Sequence, residues 1–227
     1  MSADRLRLYG DPPFKFRGTR SLLVIYAATK EDVAPYLPPQ LQPADNPIVV
    51  FSVMDCPDVS GLGPHIGGCL SISAKYNNEI GNYVSWLVTD TEASLIGFRE
   101  TYGWPAIFGS TVLEERNGLV TARIERGGKA LLNISVQVSG DVITEFAESD
   151  SFLLKDIPSS FNPLKYTSRI IATRSHIHNI KMRAGSGTLH FEPIPEIGLL
   201  APPVGQMLTA LYGTWDDIYP VSARILD

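Results

Sequence analysis

The sequence predicts a mainly β (α+β) fold in which antiparallel strands close into a barrel or sheet around an apolar cavity, with few short helices. Apolar and polar residues alternate with a period of two along much of the chain, as in strands with one buried face. Helical periodicity is confined to short segments. About ten short strands without a linker suit a closed antiparallel architecture, which readily encloses a ligand cavity.

The composition is that of a globular protein, and we expect one domain over residues 1–227. Hydrophobic residues make up 44% of the chain, charged residues 19%, and the net charge is −5. A chain of this size buries roughly 70% of its unfolded surface, so it needs no disulfides for stability. The 19 basic residues are scattered among 24 acidic ones, which argues against a nucleic-acid partner.

The first fifteen residues carry charges and a Pro12-Pro13 pair where a signal peptide would carry an apolar core. The longest apolar run, Ser21 to Ala28, is far shorter than the ~20 residues that cross a bilayer. We therefore expect a cytoplasmic protein with no membrane partner.

The clearest strand signal is a hairpin around Gly127-Gly128, whose two glycines suit a turn that needs positive φ at both central positions. Alternating runs flank it, from Val120 to Glu125 and from Leu132 to Val138. Further strands are predicted at Ser21–Ala28, Pro47–Met54, Gly68–Tyr76, Asn82–Thr89, Ser151–Lys155, Tyr166–Arg174, His176–Arg183 and Gly187–Phe191.

Two short helices are predicted. Thr29 with Asp32 resembles a capping box, and the helix that follows must end before Pro38. A second helix is predicted from Thr91 to about Arg99. The segment 204–212 suits a helix or a strand equally, and the Pro-rich stretch 193–203 is predicted to be a long loop.

Two segments carry a family resemblance. The stretch from Phe51-Ser-Val-Met-Asp55 to Ser60-Gly-Leu-Gly63, and the segment Gly97-Phe-Arg-Glu-Thr-Tyr-Gly-Trp-Pro105, resemble the acetoacetate decarboxylase superfamily. There, a Gly-Arg-Glu segment is followed by an aromatic-Pro pair and then by the catalytic lysines. The resemblance covers nearly the whole chain and implies a cone-shaped β-barrel around an apolar active site, commonly in homo-oligomers.

The sequence departs from that family at the reacting groups. The two positions after Trp104-Pro105 that would hold the lysines are Ala106 and Ile107, and neither can form an imine. Glutamates of the family's site fall on Gly67 and Ser52. The family's arginine falls on Thr19, with Arg20 beside it. The resemblance therefore implies a family member without the Schiff-base lysine.

Loss of two long side chains and a carboxylate leaves a roomier, more apolar cavity, which favours a larger hydrophobic carbonyl compound, polyketide- or terpenoid-like. We predict non-covalent cyclisation, isomerisation or related lyase chemistry in natural-product biosynthesis, without cofactor or metal, since positioning alone can contribute ~7–11 kcal/mol. The expected substrate-binding residues are Tyr102, Trp104, Ala106, Ile107, Phe108 and Gly67.

The candidate catalytic groups are the polar residues that the resemblance brings near this cavity: His65, Ser52, Arg20, Arg99 and Glu100. His65 has an unperturbed pKa of about 6.5, which suits a general acid or base. His176 and His178 share a strand face, but no third metal ligand accompanies them.

Three alternatives stay open. Lys75 or Lys15 could replace the lost nucleophile and restore decarboxylase or aldolase chemistry. The protein could instead be a non-catalytic carrier of a small apolar molecule. Ala106 and Ile107 could also be ordinary core residues.

Overall fold

The computed structural model describes residues 8–146, 149–158 and 166–226, which form one 13-stranded sheet and short helices. The mainly β prediction is confirmed. The strands are β1 (Phe14–Ala27), β2 (Gln42–Pro43), β3 (Ile48–Cys56), β4 (Asp58–Val59), β5 (His65–Tyr76), β6 (Glu79–Thr89), β7 (Ala106–Phe108), β8 (Ser110–Arg116), β9 (Leu119–Arg126), β10 (Lys129–Ile143), β11 (Asp150–Pro158), β12 (Tyr166–Phe191) and β13 (Met207–Leu226). The helices are α1 (Lys30–Val33) and α2 (Glu92–Tyr102), with 3₁₀ turns at Ala34–Tyr36 and Pro195–Ile197.

Seven of these strands form a closed barrel. Their order is β11-β6-β5-β3-β1-β13-β12, and the pairing of β11 with β12 closes the ring. Neighbouring strands are antiparallel except β11 and β6, which pair in parallel along Asp150 to Phe152. Closure gives hydrogen-bond partners to the backbone N–H and C=O groups that a sheet edge would leave unpaired. It also gives the barrel strands an inner and an outer face.

The outer face of the barrel packs against a second layer. Strands β10, β9 and β8 continue the sheet beyond β12 and fold back over the barrel. We call these three strands the arm. On β3, Val49, Phe51 and Val53 face the arm, whereas Ser52 and Met54 face the barrel interior. Since both faces of β3 are covered, its sequence is apolar almost throughout.

The local predictions for turns and helices are confirmed. Thr29 and Asp32 form the capping box that begins α1. Thr91 caps α2, which ends at Gly103 in the left-handed region, with φ of 79°. Gly127 and Gly128 both have positive φ, as the predicted hairpin requires. No helix in the described ranges is long and apolar enough to cross a membrane.

The sequence gives an incomplete account of the longest strands. The three segments predicted between Tyr166 and Phe191 are one strand, β12, because irregular register near Ser175 and Asn179 interrupts the alternation without ending the strand. Strand β8 was missed. The ambiguous segment 204–212 contains the beginning of β13, which continues through Asp216, Asp217 and Pro220. The sequence analysis considered the first fifteen residues for a signal peptide. Residues 1–7 of that segment lie outside the described residues.

Candidate active site

The barrel encloses a cavity of about 930 Å³. This is near the upper end of the roughly 300–1,000 Å³ typical of small-molecule sites. Inward-facing residues of β1, β3, β5, β6, β12 and β13 form its wall, and α2 contributes Phe98. The wall is mostly apolar and mixes Leu, Ile, Val and Met with aromatic rings and hydroxyl groups. A cavity of this size and character suits a bulky, largely apolar ligand.

Buried and half-buried aromatic residues surround one end of the cavity. We define this aromatic end by Phe98, Trp104, Trp215 and Tyr219, all of which line the cavity. Trp104 Nε1 donates a hydrogen bond to the Tyr219 hydroxyl at 2.6 Å, and that hydroxyl donates to Thr173 Oγ1 at 2.9 Å. These bonds hold the Trp104 and Tyr219 rings edge-to-face, with centroids 5.6 Å apart. The aromatic end is therefore a fixed surface.

The opposite end reaches solvent. Asp45 and Ile80 line the cavity there while their side chains are largely exposed. Strand register places Ser73, Asn82 and Ser151 side by side on three neighbouring strands at this open end. The cavity thus joins a hydroxyl- and amide-bearing entrance to a buried aromatic end.

Asp217 lies on the cavity wall at the aromatic end. It is on the same face of β13 as Trp215 and Tyr219 and is only 5% exposed. Burial raises the pKa of the Asp217 carboxyl to about 6. The sequence analysis missed this residue. The available signal was an acidic residue within the alternating apolar face Leu211, Trp215 and Tyr219.

His65 also lies on the wall and is 8% exposed. Its ring packs edge-on against Phe16 and Phe98, with centroids 6.2 Å and 5.8 Å away. Nδ1 lies 3.0 Å from the Gly63 carbonyl oxygen, which can only accept, so Nδ1 carries the proton and Nε2 is left as an acceptor. Burial lowers the pKa of His65, because the apolar surroundings disfavour the imidazolium.

The cavity wall includes three other predicted site residues, Ser52, Gly67 and Trp104. Ser52 lies opposite Cys69, a second residue of the wall, in the pairing of β3 with β5. Gly67 is held close to β6, so that a Cβ there would collide with the Val88 carbonyl oxygen. The position that the resemblance matches to a family glutamate thus has no room for any side chain without movement of β6.

The predicted charged groups lie away from the cavity wall. Arg20 is ion-paired with Asp55, and its side chain is 44% exposed. Arg99 is exposed, and its Nη1 donates to the Ala106 carbonyl oxygen at 2.9 Å. Glu100 is exposed and accepts a hydrogen bond from the Tyr9 hydroxyl at 2.7 Å. The geometry therefore gives these three residues local structural contacts and does not bring them together with His65.

The remaining predicted binding residues also lie outside the wall. Tyr102 packs edge-on against Tyr219, with centroids 5.9 Å apart. Ala106 is fully buried in the core that surrounds the aromatic end, and Ile107 packs against the core between the barrel and the arm. Phe108 is 52% exposed. Ala106 and Ile107 thus have the core role that the sequence analysis left open.

Among the described residues, no lysine, arginine or glutamate lines the cavity. Lys75 forms an ion pair with Asp45 at the open end, and Lys15 lies at an exposed position of β1. The described ranges contain no group of three metal-ligating side chains. In the described part of the chain, the buried ionisable groups of this wall are therefore the Asp217 carboxyl, the His65 imidazole, the Tyr219 phenol and the thiols of Cys56 and Cys69.

A closed barrel around a large apolar cavity, with an imidazole and a carboxyl at its buried end, defines the class of barrel proteins with an internal small-molecule site. The chain belongs to the acetoacetate decarboxylase family, because the family model described as acetoacetate decarboxylase (ADC) matches residues 6–220.

Individual relatives agree with this assignment. The chain is 22% identical over 208 residues to acetoacetate decarboxylase 1 of Bradyrhizobium diazoefficiens, an alignment that covers 88% of this chain and 82% of the relative. It shares its fold with the acetoacetate decarboxylase of Legionella pneumophila, with a TM-score of 0.85, 19% identity, and coverage of 100% and 92% of the two chains. It also resembles the enduracididine biosynthesis enzyme MppR, solved with the condensation product of pyruvate and imidazole 4-carboxaldehyde, with a TM-score of 0.78, 14% identity, and coverage of 97% and 92%.

Proposed function

We propose that the protein is a cytoplasmic enzyme that binds a bulky hydrophobic carbonyl compound in the barrel and rearranges it by proton transfer, without forming an imine. The observation that carries this proposal is the described cavity wall, which holds His65 but no amine. Imine formation needs an unprotonated amine in contact with the carbonyl group. Proton transfer needs an acid or base within reach of the substrate, and His65 supplies one.

The protonation state of His65 suits the role of a general base. Since Nδ1 donates to Gly63, the lone pair is on Nε2. Burial keeps the ring neutral by lowering its pKa, so the base is available at neutral pH. Removal of a proton beside a ketone carbonyl gives an enol or enolate, the nucleophile of cyclisation and the intermediate of isomerisation. We propose that this step serves natural-product biosynthesis.

The fold similarity to MppR supports this class of chemistry. That protein was solved with a condensation product of a keto acid and an aldehyde. A cavity of this architecture can therefore accommodate a product larger than acetone or acetoacetate. The 930 Å³ of this chain's cavity supports a substrate of comparable or greater bulk.

Benzylacetone, an apolar methyl ketone, tests the proposal without knowledge of the natural substrate. Exchange of its α-protons in deuterium oxide, followed by NMR, should be faster with the protein than with buffer. His65→Gln should lower that rate by about 10²–10⁴-fold, the usual contribution of a general base. His190→Gln is the matched control, because His190 is 72% exposed. If benzylacetone binds but exchanges no faster than in buffer, the carrier alternative replaces the enzyme.

A further inference from the structure

The carboxyl group of Asp217 is buried near several hydrogen-bond donors. The Ser175 hydroxyl and the backbone N–H groups of His176 and Ile218 lie close enough to favour its carboxylate form. Its Oδ1 atom is buried and has no hydrogen-bond partner among the described residues. Asp217 itself lines the cavity, so a polar group of a bound ligand, or a water molecule, could supply a partner for its carboxyl group. A buried polar atom without a partner costs about 1–3 kcal/mol, which a bound polar group could recover.

We propose that Asp217 is a catalytic acid that binds the carbonyl oxygen of the substrate at the aromatic end of the cavity. This assignment rests on the proposed function, to which it adds the group that stabilises the developing oxyanion. Trp215 and Tyr219, two residues to either side on the same strand face, would hold the hydrophobic part of the substrate around the carbonyl.

The proton transfer balances with this chain's own groups. His65 Nε2 takes a proton from the carbon beside the carbonyl, and the electrons of that C–H bond form a carbon–carbon double bond. The carbonyl π electrons move to oxygen, which takes the proton from Asp217. The enol forms together with the Asp217 carboxylate and the His65 imidazolium. Returning both protons regenerates the ketone and the resting enzyme.

The surroundings of Asp217 favour its protonated form up to about pH 6. Burial opposes ionisation, and the nearby donors of Ser175 and the backbone offset this effect in part. The imidazole of His178 on β12 favours the carboxylate form of Asp217, and the charge of Asp217 in turn opposes ionisation of Cys56 on β3 and of Tyr219. Burial raises the pKa of the Cys56 thiol to about 12 and also raises that of Tyr219, so both stay neutral beside Asp217.

The rate of benzylacetone α-proton exchange tests the assignment. The wild-type rate should fall as the pH rises through about 6, where Asp217 loses its proton. Asp217→Asn keeps a hydrogen-bond donor, the amide N–H, at every pH. The exchange rate of this variant should therefore not fall as the pH rises through about 6. Asp217→Leu removes the donor and should lower the rate by about 10²–10³-fold. Asp141→Asn, an exposed position on β10, is the matched control. An unchanged pH profile in Asp217→Asn contradicts the assignment.

Infrared spectroscopy tests the same contact without turnover. Benzylacetone labelled at the carbonyl carbon should show a lower carbonyl stretching frequency when bound to the wild-type protein below about pH 6 than when bound to Asp217→Leu. A shifted band without catalysed exchange would reject the proposed function and keep Asp217 as the carbonyl-binding group. Identical bands in the two proteins, or no binding to the wild type, would overturn the assignment. If Asp217→Leu does not fold, the wild-type band measured well above pH 6 serves as the comparison, because the carboxylate has no proton to donate there.

Discussion

The buried carboxyl of Asp217 has a consequence for stability that is independent of any substrate. Its pKa is raised from 3.8 in the unfolded chain to about 6 in the folded protein, chiefly by burial. Below the unfolded pKa, both states bind the proton. As the pH rises toward 6, the unfolded state releases the proton first, so the folded state loses stability across this window.

Asp217→Asn should therefore become more stable relative to wild type as the pH rises. The difference between their free energies of unfolding should change by about 2–3 kcal/mol between about pH 4 and pH 7. Urea unfolding of both proteins at several pH values measures this difference. Subtracting the free energies of unfolding of the two proteins cancels the opposite effect of His65, whose lowered pKa makes stability rise with pH. A constant difference across this range would show that Asp217 is not buried in an apolar setting.

Trp104 should report on ligand binding. It lines the aromatic end, whereas Trp86 lies on the outer face of the barrel and stacks against Phe191. Benzylacetone should quench the fluorescence of the wild-type protein, and Trp104→Phe should lose much of that quenching. Trp86→Phe is the matched control and should keep it. Loss of quenching in Trp86→Phe instead would place the ligand outside the barrel.

The candidate site could be predicted only in part, and side-chain direction explains why. Ser52 was on a predicted strand, whereas His65 and Gly67 preceded the predicted strand Gly68–Tyr76 and were assigned to the site by the family resemblance; all three line the cavity. Arg99 and Glu100 lie on α2, where the family motif identifies the segment but not which side chains point inward. Asp217 was missed because the strand that contains it was not recognised, so its place in the alternating face of β13 was not used.

At the level of elements, strands β5 and β6 show how a site residue can be fixed by backbone packing. Gly67→Ala should destabilise the protein by about 1–3 kcal/mol, because its Cβ would collide with the Val88 carbonyl oxygen and force the strands apart. Ser71→Ala on the same strand should have a smaller effect. Urea unfolding of the two variants checks this. Equal stability would show that β6 can move and that the position could accept a side chain.

The helices and the hairpin were predictable because their signals are local. A capping residue, a positive-φ glycine or a pair of turn glycines acts within a few residues. The long strands were harder. Strand β13 pairs with both β1 and β12, and these neighbours accommodate Asp216, Asp217 and Pro220 within a strand that local propensity does not favour. Only the tertiary pairing reveals that these residues continue the barrel.

For the molecule as a whole, the hydrophobic core and the cavity occupy different places: much of the core lies between the arm and the barrel, and the cavity lies inside the barrel. The arm covers the outer face of β1, β3 and β6 with aliphatic residues, so the interior of the barrel need not be filled to form a core. The large cavity can then persist in a stable protein. Homo-oligomer formation and a natural-product substrate stay predictions.

The central claim is that this family member works without an imine, and borohydride trapping tests it most directly. The intact protein is incubated with acetoacetate or pyruvate, reduced with borohydride and measured by intact mass spectrometry. Because no lysine lines the cavity among the described residues, we predict no covalent adduct. A stoichiometric adduct, mapped to Lys75 at the open end or to Lys15, would contradict the account and restore the decarboxylase or aldolase alternative.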